Sequence, residues 1–251
     1  MTYSTLAGGY DAFTGDVNYT AWADYFEKAF ASEGRQVKTI VELACGTGSL
    51  AIELCKRGYD VTATDISPEM LCEAMGKMGD LGENRPMLLC QDMRGIDLYG
   101  TYDAALCCLD SINYLNDTRE LSEMLSRLKN FIEPGGLFIF DINSMWKFQR
   151  IAGRSFVAEA EDSFCVWQVG YDEAERRCGY YMDIFTREGD LWRRDTEEHL
   201  EYAFTPEEIE KALLENGFCA VRRYGELNFK EPCPDDDRVF FVAIRSDYTN
   251  G

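Results

Sequence analysis

From residue 38 to residue 141, short apolar runs rich in branched residues alternate with stretches whose apolar positions recur at helical spacing. Strands are predicted at 38–43, 60–64, 87–91, 103–109 and 137–141, with helices at 49–57, 68–77 and 117–131 between them. Apolar strands separated by helices are the signature of a parallel sheet covered on both faces. The helix at 68 has a defined start, since Ser67 can cap the free amides and Pro68 takes the first helical position, where its missing N–H costs nothing.

Beyond Asp141 the period changes to two, and residues 155–204 read as several long antiparallel strands. Along 192–204, Trp192, Leu200, Tyr202 and Phe204 share one face, and Arg193, Asp195, Glu197, His199, Glu201 and Ala203 share the other. A half-buried sheet with its apolar face inward and its polar face in water is expected. Thr205-Pro206-Glu207-Glu208 then forms a capping-box start for a helix through Glu215, which Asn216-Gly217 ends. Strands at 219–227 and 238–245 follow as a hairpin, and 248–251 read as a fraying tail. The predicted architecture is α/β: a doubly wound, mostly parallel seven-stranded sheet with a terminal antiparallel hairpin and a small inserted antiparallel β subdomain. Its segments are a helical 1–36, a main domain formed by 37–143 and 205–251, and the insert at 144–204.

Composition narrows the partners. The chain has 251 residues, and its formal net charge of −20 repels polyanions, so a nucleic-acid substrate is disfavoured and a cationic small molecule is favoured. No apolar run is long enough for a membrane span and the first residues lack the layout of a secretory signal, so a cytoplasmic protein without membrane attachment is expected. The ten cysteines include no C-x-x-C pair and sit in apolar segments, which predicts reduced, mostly buried thiols. With one histidine in the chain, no metal site is expected.

The chemistry concentrates in Val41-Glu42-Leu43-Ala44-Cys45-Gly46-Thr47-Gly48, where an apolar strand runs through a glycine turn straight into a helix. Glycines allow close backbone approach to a ligand, and the helix start offers unpaired N–H groups. Continued to Ala51, the run also satisfies G-x-G-x-x-A, which leaves a nicotinamide or flavin enzyme open at this point. Asp65 ends the second strand, where a carboxylate can accept from ribose hydroxyls; Gln91-Asp92-Met93 ends the third, where a carboxylate can accept from an adenine amine.

Taken in order, Val41 to Gly48, Asp65-Ile66, Asp92-Met93, Leu109-Asp110-Ser111-Ile112-Asn113-Tyr114 and Glu133-Pro134-Gly135-Gly136-Leu137 resemble the class I S-adenosylmethionine-dependent methyltransferases. Tyr10-Asp11-Ala12-Phe13, Asp16-Val17-Asn18-Tyr19 and Trp22 look like the lid of a bacterial small-molecule subgroup in which an antiparallel sheet follows the fifth strand. The resemblance implies S-adenosyl-L-methionine as cofactor and methyl transfer to a small molecule, with an amine as the first acceptor to consider. It assigns Glu42, Ala44, Cys45, Gly46 and Gly48 to the methionine part and Asp65 to the ribose. Ile66 and Met93 would flank the adenine, Gln91 and Asp92 would border its amine, Leu109 would line the route to substrate, and Tyr10, Tyr19 and Trp22 would close over the site. Cys45 stands where a small Gly or Asp is commoner, and places a thiol beside the cofactor where oxidation would matter. A non-catalytic S-adenosylmethionine-binding protein and an NAD(P)-dependent oxidoreductase are the alternatives.

Two residues are candidate bases. Asp110 follows the fourth strand at the carboxyl edge of the sheet, with a loop-capping role as its other reading; His199, flanked on its face by Glu197 and Glu201, is expected to be solvated or held by a structural hydrogen bond. Trp167, Tyr171, Tyr180, Tyr181, Phe185 and Trp192 are expected mainly to pack the small sheet.

Overall fold

The computed structural model describes residues 7–15, 17–79 and 81–246; Asp16 and the tail at 248–251 lie outside the described residues. The strands follow one another as β1 (Thr39–Leu43), β2 (Asp60–Asp65), β3 (Met87–Cys90), β4 (Tyr102–Cys107), β5 (Ile132–Asn143), β6 (Ser155–Ala160), β7 (Ser163–Asp172), β8 (Arg177–Glu188), β9 (Leu191–Tyr202), β10 (Phe218–Tyr224) and β11 (Arg238–Arg245). The helices are α1 (Tyr10–Phe13), α2 (Tyr19–Ser32), α3 (Ser49–Lys56), α4 (Pro68–Lys77), α5 (Thr118–Leu128), α6 (Met145–Ile151) and α7 (Pro206–Glu215).

Seven strands form one sheet in the order β10-β11-β5-β4-β1-β2-β3. β1 to β5 run parallel, while β11 is antiparallel to both β5 and β10. The strand order reverses between β1 and β4, which opens a crevice at their carboxyl ends, where ligands bind in such sheets. The caps act as the residue types dictate: Ser67 Oγ accepts from Met70 N at the start of α4, and Thr205 with Glu208 completes a capping box on α7. One face of the sheet is closed by α2, whose Trp22, Tyr25, Phe26, Ala29 and Phe30 are buried against the group that includes Ile40 and Phe240. Fully burying a side chain the size of Phe26 contributes about 2–3 kcal/mol.

The second sheet is an antiparallel meander, β6-β7-β8-β9. The short helix α6 precedes it and had no counterpart in the sequence reading of the insert. Ser144 Oγ accepts from Lys147 N at its start, and Phe148 and Ile151 pack with Val169, Cys178 and Ala203, which seats α6 against the meander. β5 begins five residues before the predicted start, because the pairing with β4 jumps from Tyr102↔Ile132 to Ala104↔Leu137. Gly136 lies in this jump, where a Cβ would stand 2.8 Å from the carbonyl oxygens of both Asp103 and Glu133, so only glycine fits.

The predicted wet face of β9 is not in water near its C-terminal end, although Tyr202 and Phe204 of the apolar face do pack into the main core. The strand's polar face, carrying His199 (1% exposed) and Glu201 (2% exposed), is turned inward, whereas Trp192 on the supposed apolar face is 46% exposed. Period two identified the faces correctly, but what each face meets is decided by the cavity that the meander covers.

Candidate active site

Carboxyl ends of β1 to β4, the start of α2, α6 and the inner face of the meander enclose one cavity of roughly 500 Å³. Every site residue predicted from the sequence lines it, with the exception of Gly48: Tyr10, Tyr19, Trp22, Glu42, Ala44, Cys45, Gly46, Asp65, Ile66, Gln91, Asp92, Met93, Leu109, Asp110 and His199. Gly48 lies at the N-terminus of α3 with φ +71°, and a Cβ there would sit 2.9 Å from that of Ala74, so it serves the close approach of α3 to α4.

At one end of the cavity the chain presents backbone. Ala44, Gly46 and Gly48 all have positive φ, so the turn after β1 curls tightly into α3. Asp65 braces this turn: its Oδ2 accepts from Gly46 N and its Oδ1 from Ser67 N, each at 2.8 Å. Burial raises the Asp65 pKa, and the amide donors of Ser67, Gly46 and Ile66 oppose the rise. Glu42 is 3% exposed and its Oε2 has no hydrogen-bond partner among the described residues. Burial, reinforced by the charge of Asp65, pushes its carboxyl up to about 8. A buried carboxylate oxygen facing the cavity beside a turn of backbone amides fits the ammonium and carboxylate of a methionine group. Asp92 lies nearer the rim; partial burial works to raise its pKa, but the Arg94 guanidinium, 2.9 Å from Oδ2 through Nε, holds it below the usual range. Gln91 spends both amide groups on the backbone of Asp97, donating to O at 3.0 Å and accepting from N at 2.9 Å.

Against the expected oxidation of Cys45 stands its burial. Burial first, then the carboxylates of Glu42 and Asp65, raise its thiol well above the ordinary value, which suppresses the reactive thiolate. Trp22 is 5% exposed and packs on Phe240 at 5.1 Å between centroids, so it forms part of the cavity floor. Tyr19 is pushed up to about 12 by burial, Asp11 and Glu42 and stays a neutral phenol. A polar clasp ties α1 to the glycine turn, with Lys77 Nζ 2.6 Å from Asp11 Oδ2, 2.8 Å from Thr47 Oγ1 and 2.7 Å from Ser49 Oγ.

The other end is built from side chains. Leu109 and Asp110 both have positive φ, a conformation costing roughly 1–2 kcal/mol per non-glycine residue. Buried Asp141 holds them there, its two oxygens accepting from Leu109 N at 2.8 Å and Asp110 N at 2.9 Å. Arg238 bridges Asp141 and Asp110, contacting the latter at 2.7 Å. Asp110 makes no capping hydrogen bond, so its side chain serves the ion pair and not the loop. Burial alone would raise its pKa, but Arg238 and then Lys147 outweigh that and hold it ionised below the usual range. Across from it, Asn143 Nδ2 donates to Glu201 Oε2 at 2.8 Å, and Lys147 Nζ donates to Asn143 Oδ1 at 2.8 Å. His199 is buried beside Glu197, 3.2 Å from Nε2 to Oε2, with Tyr114 edge-on at 6.0 Å; of the two expectations for it, structural hydrogen bonding holds and solvation does not.

Comparison with known proteins agrees with this geometry. The methyltransferase domain family matches residues 40–136, which span β1 to the start of β5. A Bacillus subtilis (strain 168) protein named "Putative methyltransferase YqeM" is 32% identical over 249 residues, covering 98% of each chain. The crystal structure of an S-adenosylmethionine-dependent methyltransferase from Clostridium acetobutylicum ATCC 824 superposes with a TM-score of 0.86 at 30% identity, covering 97% of this chain and 99% of that one. This chain belongs to the class I S-adenosylmethionine-dependent methyltransferases. The methyltransferase is also 28% identical to a glycine/sarcosine N-methyltransferase of Halorhodospira halochloris, across 88% of this chain and 79% of that one. Membership fixes S-adenosylmethionine as the cofactor, and the oxidoreductase reading of G-x-G-x-x-A falls. Among the described residues, no helix of this methyltransferase is long and apolar enough to cross a membrane.

Sequence reasoning missed Asn143, Lys147 and Arg238, and read Tyr180 mainly as packing and Glu201 as solvent-facing; all five line the cavity. The signal for Glu201 was present in the alternation of β9, but it was assigned to water. The insert aromatics divide: Trp167 and Tyr180 face the cavity, Phe185 stacks on Phe164 at 4.5 Å, Tyr171 stacks on Phe148 at 6.0 Å, and Tyr181 and Trp192 are exposed.

Proposed function

We propose that this methyltransferase transfers a methyl group to the nitrogen of a small amine. The reading rests on one observation: a single cavity runs from the Glu42–Asp65 end to a second end carrying the partly buried Asp110 and the buried Glu201. When bound, S-adenosylmethionine supplies a methyl group on a cationic sulfonium, with the driving force already in the cofactor. Glu42 and the backbone of residues 44–48 hold its methionine part, Asp65 the ribose hydroxyls, Ile66 and Met93 the adenine faces, and Asp92 the adenine amine. Leu109 lines the passage toward the acceptor, and Tyr10 and Tyr19 cover the cofactor end. Asp110, kept ionised by Arg238, draws in a cationic acceptor; His199 helps shape the far wall. Alignment of acceptor and methyl group is worth roughly 7–11 kcal/mol of barrier, so the chain's main task is to hold both and exclude water.

The acidic net charge of the chain and the glycine/sarcosine activity named for one relative favour an amine over an anionic acceptor. Calorimetric titration with S-adenosylmethionine, S-adenosylhomocysteine and NAD tests the cofactor roles: micromolar binding of the first two and none of NAD is expected. A methyl-labelled donor offered with glycine, sarcosine, amino sugars and their hydroxy counterparts then tests the acceptor. Label on oxygen or carbon acceptors with none on nitrogen overturns the amine assignment.

A further inference from the structure

An alkylammonium ion cannot attack a methyl group until it has lost a proton, so a site that methylates amines at neutral pH gains from a base matched to that proton. Two carboxylates face the acceptor end, and their surroundings differ. Asp110 is locked to Arg238 at 2.7 Å. Glu201, 2% exposed on the inner face of β9, has only the neutral amide of Asn143 at 2.8 Å, and among the described residues no cation stands within ion-pair distance of it. We propose that Glu201 is the proton acceptor for the substrate amine and Asp110 the fixed anion that draws the ammonium in; the proposal rests on the amine reading above.

The groups around Glu201 support this division. Asp110 faces it from the turn after β4, Asn143 from β5, Lys147 from α6, Tyr180 and Cys178 from β8, and Arg238 from β11. Burial, then repulsion from Asp110, pushes its carboxyl up to about 8, and Asn143, Lys147 and Arg238 oppose the rise without cancelling it. Asp110 is held below the usual range. Two titratable groups driven apart by their environments mark a division between proton carrier and permanent charge. In the step itself, one N–H proton passes from the ammonium to a carboxylate oxygen of Glu201. The freed nitrogen lone pair forms the bond to the methyl carbon, the C–S bond breaks, and its electron pair stays on sulfur. A methylated ammonium, a neutral thioether and a protonated Glu201 result.

Infrared difference spectra of the S-adenosylhomocysteine complex, wild type minus Glu201→Gln, are the first test. A protonated-carboxyl band that disappears with a midpoint near pH 8 is expected. Its absence across the range would show Glu201 ionised at neutral pH and overturn the proposal, while leaving cofactor binding and the amine assignment untouched. If the Gln variant does not fold, Asn143→Ala removes the donor to Glu201 and should move the same midpoint upward; an unmoved midpoint counts against the proposal. The kinetic arm uses the first amine methylated in the acceptor screen. Wild-type kcat/KM should rise through about pH 8. Glu201→Gln should lose about 10²–10⁴-fold at neutral pH and recover most of it above the amine's own pKa, where the free base is abundant. A loss of equal size at every pH would assign Glu201 a structural role and sink the idea. If no amine is methylated by the wild type, the amine reading fails and the proposal falls with it, whereas a missing infrared band with amine turnover intact overturns the proposal alone.

Discussion

The two ends of the cavity are made by different means. At the end proposed for the cofactor, one continuous strand–turn–helix supplies Glu42 to Thr47, and the next strand supplies the brace Asp65, so the lining there is mainly backbone amides and two carboxyl groups. At the acceptor end, Asp110, Asn143, Lys147, Glu201 and Arg238 come from five separate elements and meet only through side-chain bonds. Strain is present in both, at Ala44 and at Leu109–Asp110. The turn around the first is held by the adjacent strand, through Cys45 N donating to Thr64 O and Gly46 N to Asp65, whereas the second depends on the buried Asp141 and its ion pair with Arg238. A site made of backbone can keep its shape through many substitutions; a site made of converging charges can be retuned, or lost, by one.

The largest effect should therefore come from the acceptor end. Replacing Arg238 with Met leaves the buried Asp141 and the partly buried Asp110 close and without their shared cation, and breaking such a pair costs up to about 3–5 kcal/mol. Urea unfolding at neutral pH measures it. A loss under about 1 kcal/mol would mean that the carboxylates find other donors and that the end is more adaptable than its geometry suggests.

Next comes Asp65→Ala, which should weaken S-adenosylmethionine binding more than about tenfold in calorimetry, as expected for losing charged hydrogen bonds. Asp110→Asn should leave the same constant within about threefold, since Asp110 belongs to the other end. Equal losses in the two variants would erase the distinction between the ends.

The two buried glutamates give a smaller, graded effect with a definite sign. Glu42 and Glu201 each rise from an ordinary 4.5 to about 8, so the fold favours their protonated forms. Their contribution to stability is complete below 4.5 and is lost as pH climbs through 8, by at most about 1.4 kcal/mol per pH unit for each group. The ligand-free protein should lose unfolding free energy between pH 5 and 8, and Glu42→Gln and Glu201→Gln should each flatten that slope. S-adenosylmethionine should flatten it through Glu42 alone, by placing an ammonium beside that carboxylate. If the cofactor also removed the Glu201 share, the two ends would be electrostatically one.

The same distinction explains what could be read from residues alone. Backbone recognition needs glycine at particular steps and fixed offsets between strand ends, and these leave a local pattern: Val41 to Gly48, Asp65 and Asp92 were legible together with the parallel sheet that carries them. Convergent side chains leave none, since Asn143 and Arg238 are 95 positions apart and meet only because β11 pairs with β5. Glu201 was visible as half of a polar alternation, and such an alternation reads the same whether it faces water or a cavity. α6 was hidden for a related reason: seven residues are too few to establish a helical period, and its packing on Val169 and Cys178 is a tertiary matter.

The smallest expected effect concerns the clasp between α1 and the glycine turn. Lys77 and Asp11 are 30% and 44% exposed, so their ion pair is worth at most about 1 kcal/mol, and Lys77→Ala should barely move the unfolding midpoint. Its consequence should appear in cofactor retention, because the same Lys77 Nζ also reaches Thr47 Oγ1 and Ser49 Oγ and so ties α1 to the turn proposed to hold the methionine part. A loss of about 1 kcal/mol corresponds to roughly a fivefold weaker complex, read most directly as faster S-adenosylhomocysteine release. In about 1 M salt, where screening acts within roughly 3 Å, wild type should approach the variant. A salt-independent loss as large as that of Asp65→Ala would place Lys77 in the cofactor site itself and move α1 from cover to wall.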